Sequence, residues 1–380
     1  MIAAPNFNLN SPKQVKKLFK VLGVGHLPGT GAAEMLKAQA AHPLNNRILG
    51  ELVSIKKRKK LLSYYFKEKK IWNGRLFYKS NPAGTDTGRL ASTESSFWCG
   101  LQIQNFLRGE TVKQCVTADP GWLLCEIDKA QSEARCVGYL AGETSLIDLV
   151  EGPHDYHSWN AASFFGVPYD KIYDDAKHKQ LDVPLRDLAK RTNHGANYNM
   201  RGWTMLQTMG PKKVAQAKAV LKLPASYSLV DVCEYMLGVY EKTYPGIKGL
   251  WYDEIVKEIA LTGRLTSARG WTRIFFSKPK KSKFYNAALN SAVAHPPQNL
   301  SVDIINEEFY NVWRASVYDS YYKDGKLIPC ALRGVVRIKA QIHDSIFFQY
   351  RVGRPDAPGI VATVMTTRVK IKGADGVTRE

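Results

Sequence analysis

Asp128 and Asp344, each at the end of an apolar stretch, are the residues of this sequence best suited to phosphoryl chemistry. Two carboxylates from distant segments can hold a pair of magnesium ions ~3.5–4 Å apart, one activating an attacking hydroxyl and the other stabilising a leaving pyrophosphate. Mg2+ needs only a few carboxylates, because water and substrate phosphates complete its shell. Either aspartate alone says little, since an aspartate at a strand end commonly serves a turn or a cap. Between them, Arg186, Lys190, His194 and Tyr198 are spaced four apart. Four residues turn about 400° on an α-helix, so these side chains share one slowly drifting face. Two cations and two rings on one face suit a triphosphate and a stacked base or sugar. A cationic surface face ending in an aromatic fits the same pattern. Gly195 costs such a helix up to about 1 kcal/mol, which is tolerable where something must approach the backbone closely.

The elements that position these groups follow from periodicity. Trp122 to Asp128 reads as a buried strand ending in a carboxylate, followed by a helical segment through Glu133, Arg135, Val137 and Leu140. Tyr156 to Tyr252 is mostly helical in pattern. Val336, Ile338, Ala340 and Ile342 alternate with Arg337, Lys339, Gln341 and His343, a period of two and hence a strand. Ile346 to Tyr350 continues as a second strand, making a hairpin with His343 and Asp344 near its turn. Towards the N-terminus, Ser11, Pro12 and Gln14 form a capping box with proline at the first helical position. Val15, Leu18, Phe19 and Leu22 then repeat at helical spacing, and Gly23 supplies a stop. A second helix runs from about Asn45 to Lys70, and its basic run Lys56–Lys60 is either a solvated face or a phosphate-contacting one. Asn81–Gly84 reads as a turn, and Lys278–Lys283 as a basic loop. His154 and His157 make an H-x-x-H pair for which no third ligand is evident.

A chain of 380 residues predicts two or three domains. No apolar run of about 18 residues occurs, which argues against a membrane span. The first residues lack the basic flank and apolar core of a signal peptide. The six cysteines are scattered with no C-x-x-C pair, so neither a zinc site nor a disulfide framework is indicated, and a reducing, cytoplasmic compartment is expected. The formal net charge of +20 is the most informative bulk quantity, because such a field draws a polyanion, and nucleic acid is the commonest one.

Taken together, the motifs resemble those of family A DNA polymerases. Asp128-Lys129-Ala130-Gln131-Ser132-Glu133-Ala134-Arg135 resembles motif A, D-Y-S-Q-I-E-L-R. Arg186 to Tyr198, through Lys190 and Asn193-His194-Gly195, resembles motif B, R-x-x-x-K-x-x-N-F-G-x-x-Y-G. Gln341-Ile342-His343-Asp344 resembles motif C, Q-V-H-D-E. The segments Phe7–Gln14, Thr87–Leu90 and Asp155–His157 are similar too and stand in the family's order. The resemblance covers nearly the whole chain. It implies that Asp128, Asp344 and the Lys129 backbone carbonyl bind two Mg2+ ions. Arg186, Lys190 and His157 would hold the triphosphate of a dNTP, and Lys190 would protonate the leaving pyrophosphate. Tyr198, His194 and Gln131 would lie at the incoming nucleotide, and Glu133 would crowd the sugar 2′ position. Arg89, Gln104, Asn105, Gln298 and His343 would contact the primer–template DNA.

The implied fold is α/β (α+β): a right-hand polymerase with an antiparallel-sheet palm, helical fingers and a partial helical thumb. The expected division is a partial thumb over 1–75, palm over 76–136, fingers over 137–285 and palm again over 286–380. The resemblance further suggests a phage origin, with localisation in the host cytoplasm, a truncated thumb and no exonuclease domain, leaving room for a separate chain to supply those parts. The sequence also departs from the family pattern. His194 stands where Phe or Tyr is usual, Asn199 replaces a glycine, Lys129 and Ala130 replace Tyr and Ser, Ser345 replaces an acidic residue, and Ala294 replaces an Asn. Two other readings share these features: a single-subunit RNA polymerase, against which Glu133 and Thr87-Gly88-Arg89 argue, and a DNA-binding fragment without turnover.

Overall fold

The computed structural model describes residues 7–25, 29–31, 34–35, 46–65, 71–95, 99–105, 113–178, 181, 183–276, 285–323, 325–329 and 331–380. The expected basic loop Lys278–Lys283 lies outside them, as does the end of the second helix beyond Tyr65.

Near the N-terminus, α1 (Pro12–Val21) and α2 (Asn46–Tyr65) pack through Val15, Leu18, Phe19 and Leu22 against Leu49, Leu52 and Val53. Gly23 ends α1 with φ +75°, as a helix stop requires. The expected capping box forms only in part. The Ser11 hydroxyl accepts from the Gln14 N–H at 3.4 Å, but the Gln14 side chain accepts from the Asn8 N–H instead of returning to Ser11. The Ser11 N–H already donates to the Asn8 carbonyl, so it has no need of Gln14.

Four short strands follow, β1 (Ile71–Trp72) with β2 (Arg75–Leu76) and β3 (Lys79–Asn81) with β4 (Ala91–Thr93). Then come β5 (Trp122–Asp128) and a helical body. That body comprises α3 (Ser132–Ala141), α4 (Thr144–Glu151), α5 (Tyr156–Phe165), α6 (Tyr169–His178), α7 (Leu185–Asn197), α8 (Gly202–Met209), α9 (Pro211–Val220), α10 (Leu229–Thr243) and α11 (Asp253–Thr262). The inner faces of these helices share one core, in which Leu185, Leu188, Ala189 and Ala196 of α7 are buried. The apolar side of α7 therefore faces the core, and the Arg186–Lys190–His194 side is left outside.

A hairpin, β6 (Arg264–Thr266) and β7 (Thr272–Ile274), leads to α12 (Tyr285–Val317). This helix spans 33 residues and runs through Pro296 and Pro297. Periodicity did not reveal it, because paired prolines read as a helix break: neither can donate to the turn before it. Buried Ala292, Val293, Leu300, Ile305 and Val312 anchor the helix on both sides of the prolines. After β8 (Ser320–Lys323) and β9 (Lys326–Pro329) come β10 (Val336–Ile342), β11 (Ser345–Arg351), α13 (Ala357–Val364), β12 (Ile371–Lys372) and β13 (Thr378–Arg379).

The central sheet is antiparallel with strand order β10-β11-β5. On one face Cys125, Ile127, Ile346, Phe348 and Tyr350 pack against Ile305, Phe309 and Val312 of α12 and Ala357 and Val361 of α13. Side chains alternate along a strand, so the opposite face carries Trp122, Leu124, Glu126 and Asp128. The expected strict alternation in β10 breaks at a register shift between Ile338 and Ala340. Gln341, read as outward, is consequently buried, and its amide donates to Asn306 of α12 at 2.9 Å. Among the described residues no helix is long and apolar enough to cross a membrane.

Candidate active site

Register brings the two aspartates together. Ser345 pairs with Asp128 across β11 and β5, and the Lys129 N–H donates to the Asp344 carbonyl oxygen at 3.1 Å. His343 and Asp344 form the two-residue turn of the β10–β11 hairpin, with His343 exposed at φ +52°. Gln104 fixes that turn from the side: its amide donates to the Gln341 carbonyl at 2.6 Å, and its oxygen accepts from the His343 N–H at 2.8 Å. Gln104, expected at DNA, thus spends both side-chain groups on the hairpin, while Asn105 donates to the Gln102 side chain.

Asp128 is exposed and Asp344 half-buried, with one Asp344 carboxylate oxygen buried and without a hydrogen-bond partner. Burial raises the Asp344 carboxyl above its ordinary value, and the negative charges of Glu133 and Asp128 raise it further. A divalent cation would relieve both effects, so the donor set fits Mg2+. Among the described residues no third His, Cys, Asp or Glu joins them as a preformed cluster. Two carboxylates with substrate phosphate and water suit an ion that keeps part of its hydration shell.

Glu133, in the first turn of α3, is the junction between sheet and helices. It pairs with Arg89 and accepts from the Tyr198 hydroxyl, and the His194 ring lies 3.9 Å away. Burial, then the neighbouring Glu133, holds the Tyr198 hydroxyl well above its ordinary value, so it stays a donor. His194 and Tyr198 meet edge to face at 5.2 Å. Gln131 turns the chain from β5 into α3 with φ +56°. Arg89 reaches Glu133 because α12 holds its segment: the Asn299 amide donates to the Thr87 carbonyl at 3.1 Å. Gln298, half-buried, is the neighbour of Asn299 on that helix. The group that approaches Gly195 is internal, since an added Cβ would stand 2.8 Å from the Met200 sulfur.

At the other end of α7, Arg186 grips Asp155 with Nε at 2.9 Å and a terminal nitrogen at 2.8 Å. Asp155 also caps α5 by accepting from the Ser158 N–H at 2.8 Å. Burial pushes the Asp155 carboxyl up, but the Arg186 and Ser158 hydrogen bonds prevail and hold it at about 2. His157 is held down to about 3, first by burial and then by the Arg186 charge, and is neutral. Its Nδ1 lies 3.2 Å from the Asn193 amide nitrogen, which donates to it when Nδ1 is unprotonated. Lys190 is exposed on the same side of α7. His154 packs on Trp159 and Tyr169 at 4.8 and 5.0 Å between centroids, as a surface aromatic would.

Periodicity missed two partners. The Lys129 ammonium reaches Glu308 of α12, a fully buried carboxylate, at 2.5 Å and the Met365 carbonyl at 3.3 Å. The Ser345 hydroxyl lies 2.9 Å from a Glu126 carboxylate oxygen and 2.8 Å from the Ile342 carbonyl. A lysine directly after an apolar strand was the one signal that an anion should lie beside it, although of β5 only Trp122 is buried.

The sequence model described as DNA polymerase family A matches residues 1–372. Thermostable DNA polymerase I of Thermus aquaticus is 31% identical over 230 residues, covering 57% of this chain and 26% of that protein. A protein of the same description from Thermus thermophilus is 23% identical over 378 residues, covering 95% of this chain and 39% of its own. DNA polymerase I of Pseudomonas aeruginosa is 25% identical over 369 residues, covering 92% and 35%. The chain thus spans between 26% and 39% of the length of these curated relatives. Among solved structures, the polymerase domain of Pol1 from M. smegmatis, in complex with DNA primer-template and dNTP, superposes with a TM-score of 0.69 at 22% identity, covering 95% of this chain and 57% of that one. The fold is therefore the right-hand fold of that domain. With its paired aspartates, the α7 face between them and a family match running almost end to end, the chain belongs to DNA polymerase family A.

Proposed function

We propose that this chain is a template-directed DNA polymerase that transfers dNMP from a dNTP to a primer 3′-hydroxyl. The observation that carries the reading is the meeting of Asp128 and Asp344 through the Lys129–Asp344 backbone hydrogen bond, with one buried Asp344 oxygen lacking a partner. Asp128, Asp344 and the Lys129 carbonyl would hold two Mg2+ ions, which activate the hydroxyl and neutralise the leaving pyrophosphate when bound. Arg186 and Lys190 supply fixed positive charge for the triphosphate from one side of α7, and Lys190 is the acid for the leaving group. His157, being neutral, contributes a hydrogen bond there. Tyr198, His194 and Gln131 line the nucleotide's place, and Glu133 fills the space a 2′-hydroxyl needs. Arg89, Asn105, Gln298 and His343 face primer and template. Catalysis of this kind rests on positioning and charge neutralisation.

The reading is tested by Mg2+-dependent primer extension with this chain alone, using dNTPs and rNTPs in parallel. Extension with dNTPs supports it. Preference for rNTPs points to an RNA polymerase, and DNA binding without any extension refutes it.

A further inference from the structure

At the far end of β5 from Asp128, two guanidinium groups lie over one indole. The Arg337 and Arg351 carbons each sit 4.4 Å from the centroid of the Trp122 ring. Trp122 is only 6% exposed, yet the Arg337 side chain is 56% exposed and Arg351 is exposed as well. The three residues come from β5, β10 and β11, with Arg351 paired directly to Trp122 and Arg337 to Gln349. Around them Arg75 and Lys339 lie 3.1 and 3.5 Å from Asp119, which also accepts from Gln349 at 2.8 Å. Arg337 lies 4.0 Å from the same carboxylate, so three cations share Asp119, and with Arg351 beside them this end of the sheet stays positive. Stacking on an aromatic face fixes the plane of a guanidinium, which stays charged and keeps its N–H edge for an anion. A planar donor edge, permanently charged and already ordered, suits a phosphate.

We propose that Arg337 and Arg351, stacked on Trp122, clamp phosphates of the primer–template duplex upstream of the primer terminus. The inference rests on the polymerase reading, which sets the terminus at Asp128 and Asp344. Tyr198 of the helical body bonds Glu133 near the Asp128 end of β5, and the proposed clamp has the duplex run along the sheet away from that end. Trp122 stands six residues before Asp128, which at strand rise is ~20 Å. At ~3.4 Å per base pair the clamp meets the duplex about six base pairs behind the terminus.

The test measures affinity by fluorescence anisotropy for primer–templates sharing one overhang but carrying 4 or 12 base pairs of duplex. In Arg337→Gln/Arg351→Gln, affinity for the 12-base-pair duplex should fall about tenfold or more in 0.1 M salt. The log–log salt slope should shrink by about 1.8, two contacts at ~0.9 each. The 4-base-pair duplex should bind as before, which also reports that the variant is folded. Arg337→Lys/Arg351→Lys, which keeps the charge but not the planar stack, should lie between. Unchanged affinity for the long duplex, or an equal loss at both lengths, overturns the clamp while primer extension by the unmodified chain leaves the polymerase reading standing. Failure of the unmodified chain to bind either duplex overturns both.

Discussion

The Lys129 backbone N–H donates to the carbonyl oxygen of Asp344, tying the residue after one aspartate to the other aspartate itself. The bond continues the β11–β5 ladder one step past its last pair, Ser345 with Asp128. The backbone positions of the two aspartates are therefore set by sheet register. Asp128→Ala or Asp344→Ala should abolish primer extension and leave DNA affinity largely intact. Extension surviving either substitution would remove both residues from the metal site.

Glu133 is held between Arg89 and the Tyr198 hydroxyl, an arrangement that fixes the carboxylate as a wall. Glu133→Ala should raise ribonucleotide use relative to deoxynucleotide use by about 10- to 200-fold, the scale of discrimination one small group supplies in a shaped pocket. Competitive single-nucleotide incorporation reads this ratio directly, and an unchanged ratio would deny Glu133 a steric role.

The Lys129–Glu308 pair joins the sheet to α12 with the carboxylate wholly buried. Glu308→Ala leaves the ammonium of Lys129, only 29% exposed, with the Met365 carbonyl but no counter-charge, and should cost about 3–5 kcal/mol in urea unfolding. Glu308→Leu combined with Lys129→Met should recover most of that loss, because removing both charges also removes their desolvation. A double variant no better than the single one would show that the pair contributes nothing jointly.

His157 gives the fold an acid sensitivity. Its folded pKa of about 3 lies below the unfolded value of about 6.5, so between these pH values the unfolded chain binds a proton that the folded chain refuses. Stability is then complete above roughly pH 6.5 and declines as the pH falls towards 3. His157→Gln should flatten that part of the stability profile, as followed by thermal unfolding at stepped pH. An unaltered profile would place the acid sensitivity elsewhere.

The sequence disclosed these features unevenly, for physical reasons. The hairpin carrying Asp344 was legible because strands with one face on a core advertise a period of two, and the α7 face because four-residue spacing is a helical signal. The fold itself, expected from six ordered motifs, is that of the solved relative. Other features depend on groups distant in the chain. The turn in β10 that buries Gln341 arises from a bulge that its alternating residues do not betray. The passage of α12 through Pro296 and Pro297 depends on packing along both flanks, which overrides the local preference. Glu308 and Asp155 acquire their partners from residues 179 and 31 positions away, beyond the reach of any periodicity.

In the proposed reading, the Asp155–Arg186 pair makes nucleotide capture an ion exchange. A resting guanidinium holding a carboxylate through Nε and one terminal nitrogen, at 2.9 and 2.8 Å, has its charge partly balanced already, so a triphosphate competes with Asp155 for that edge. The same trade runs backwards once pyrophosphate has formed, because Asp155 stands ready to reclaim Arg186 as the product departs. A tethered competitor of this kind limits how long a spent anion lingers, and it turns the tightness of an internal salt bridge into a setting for turnover.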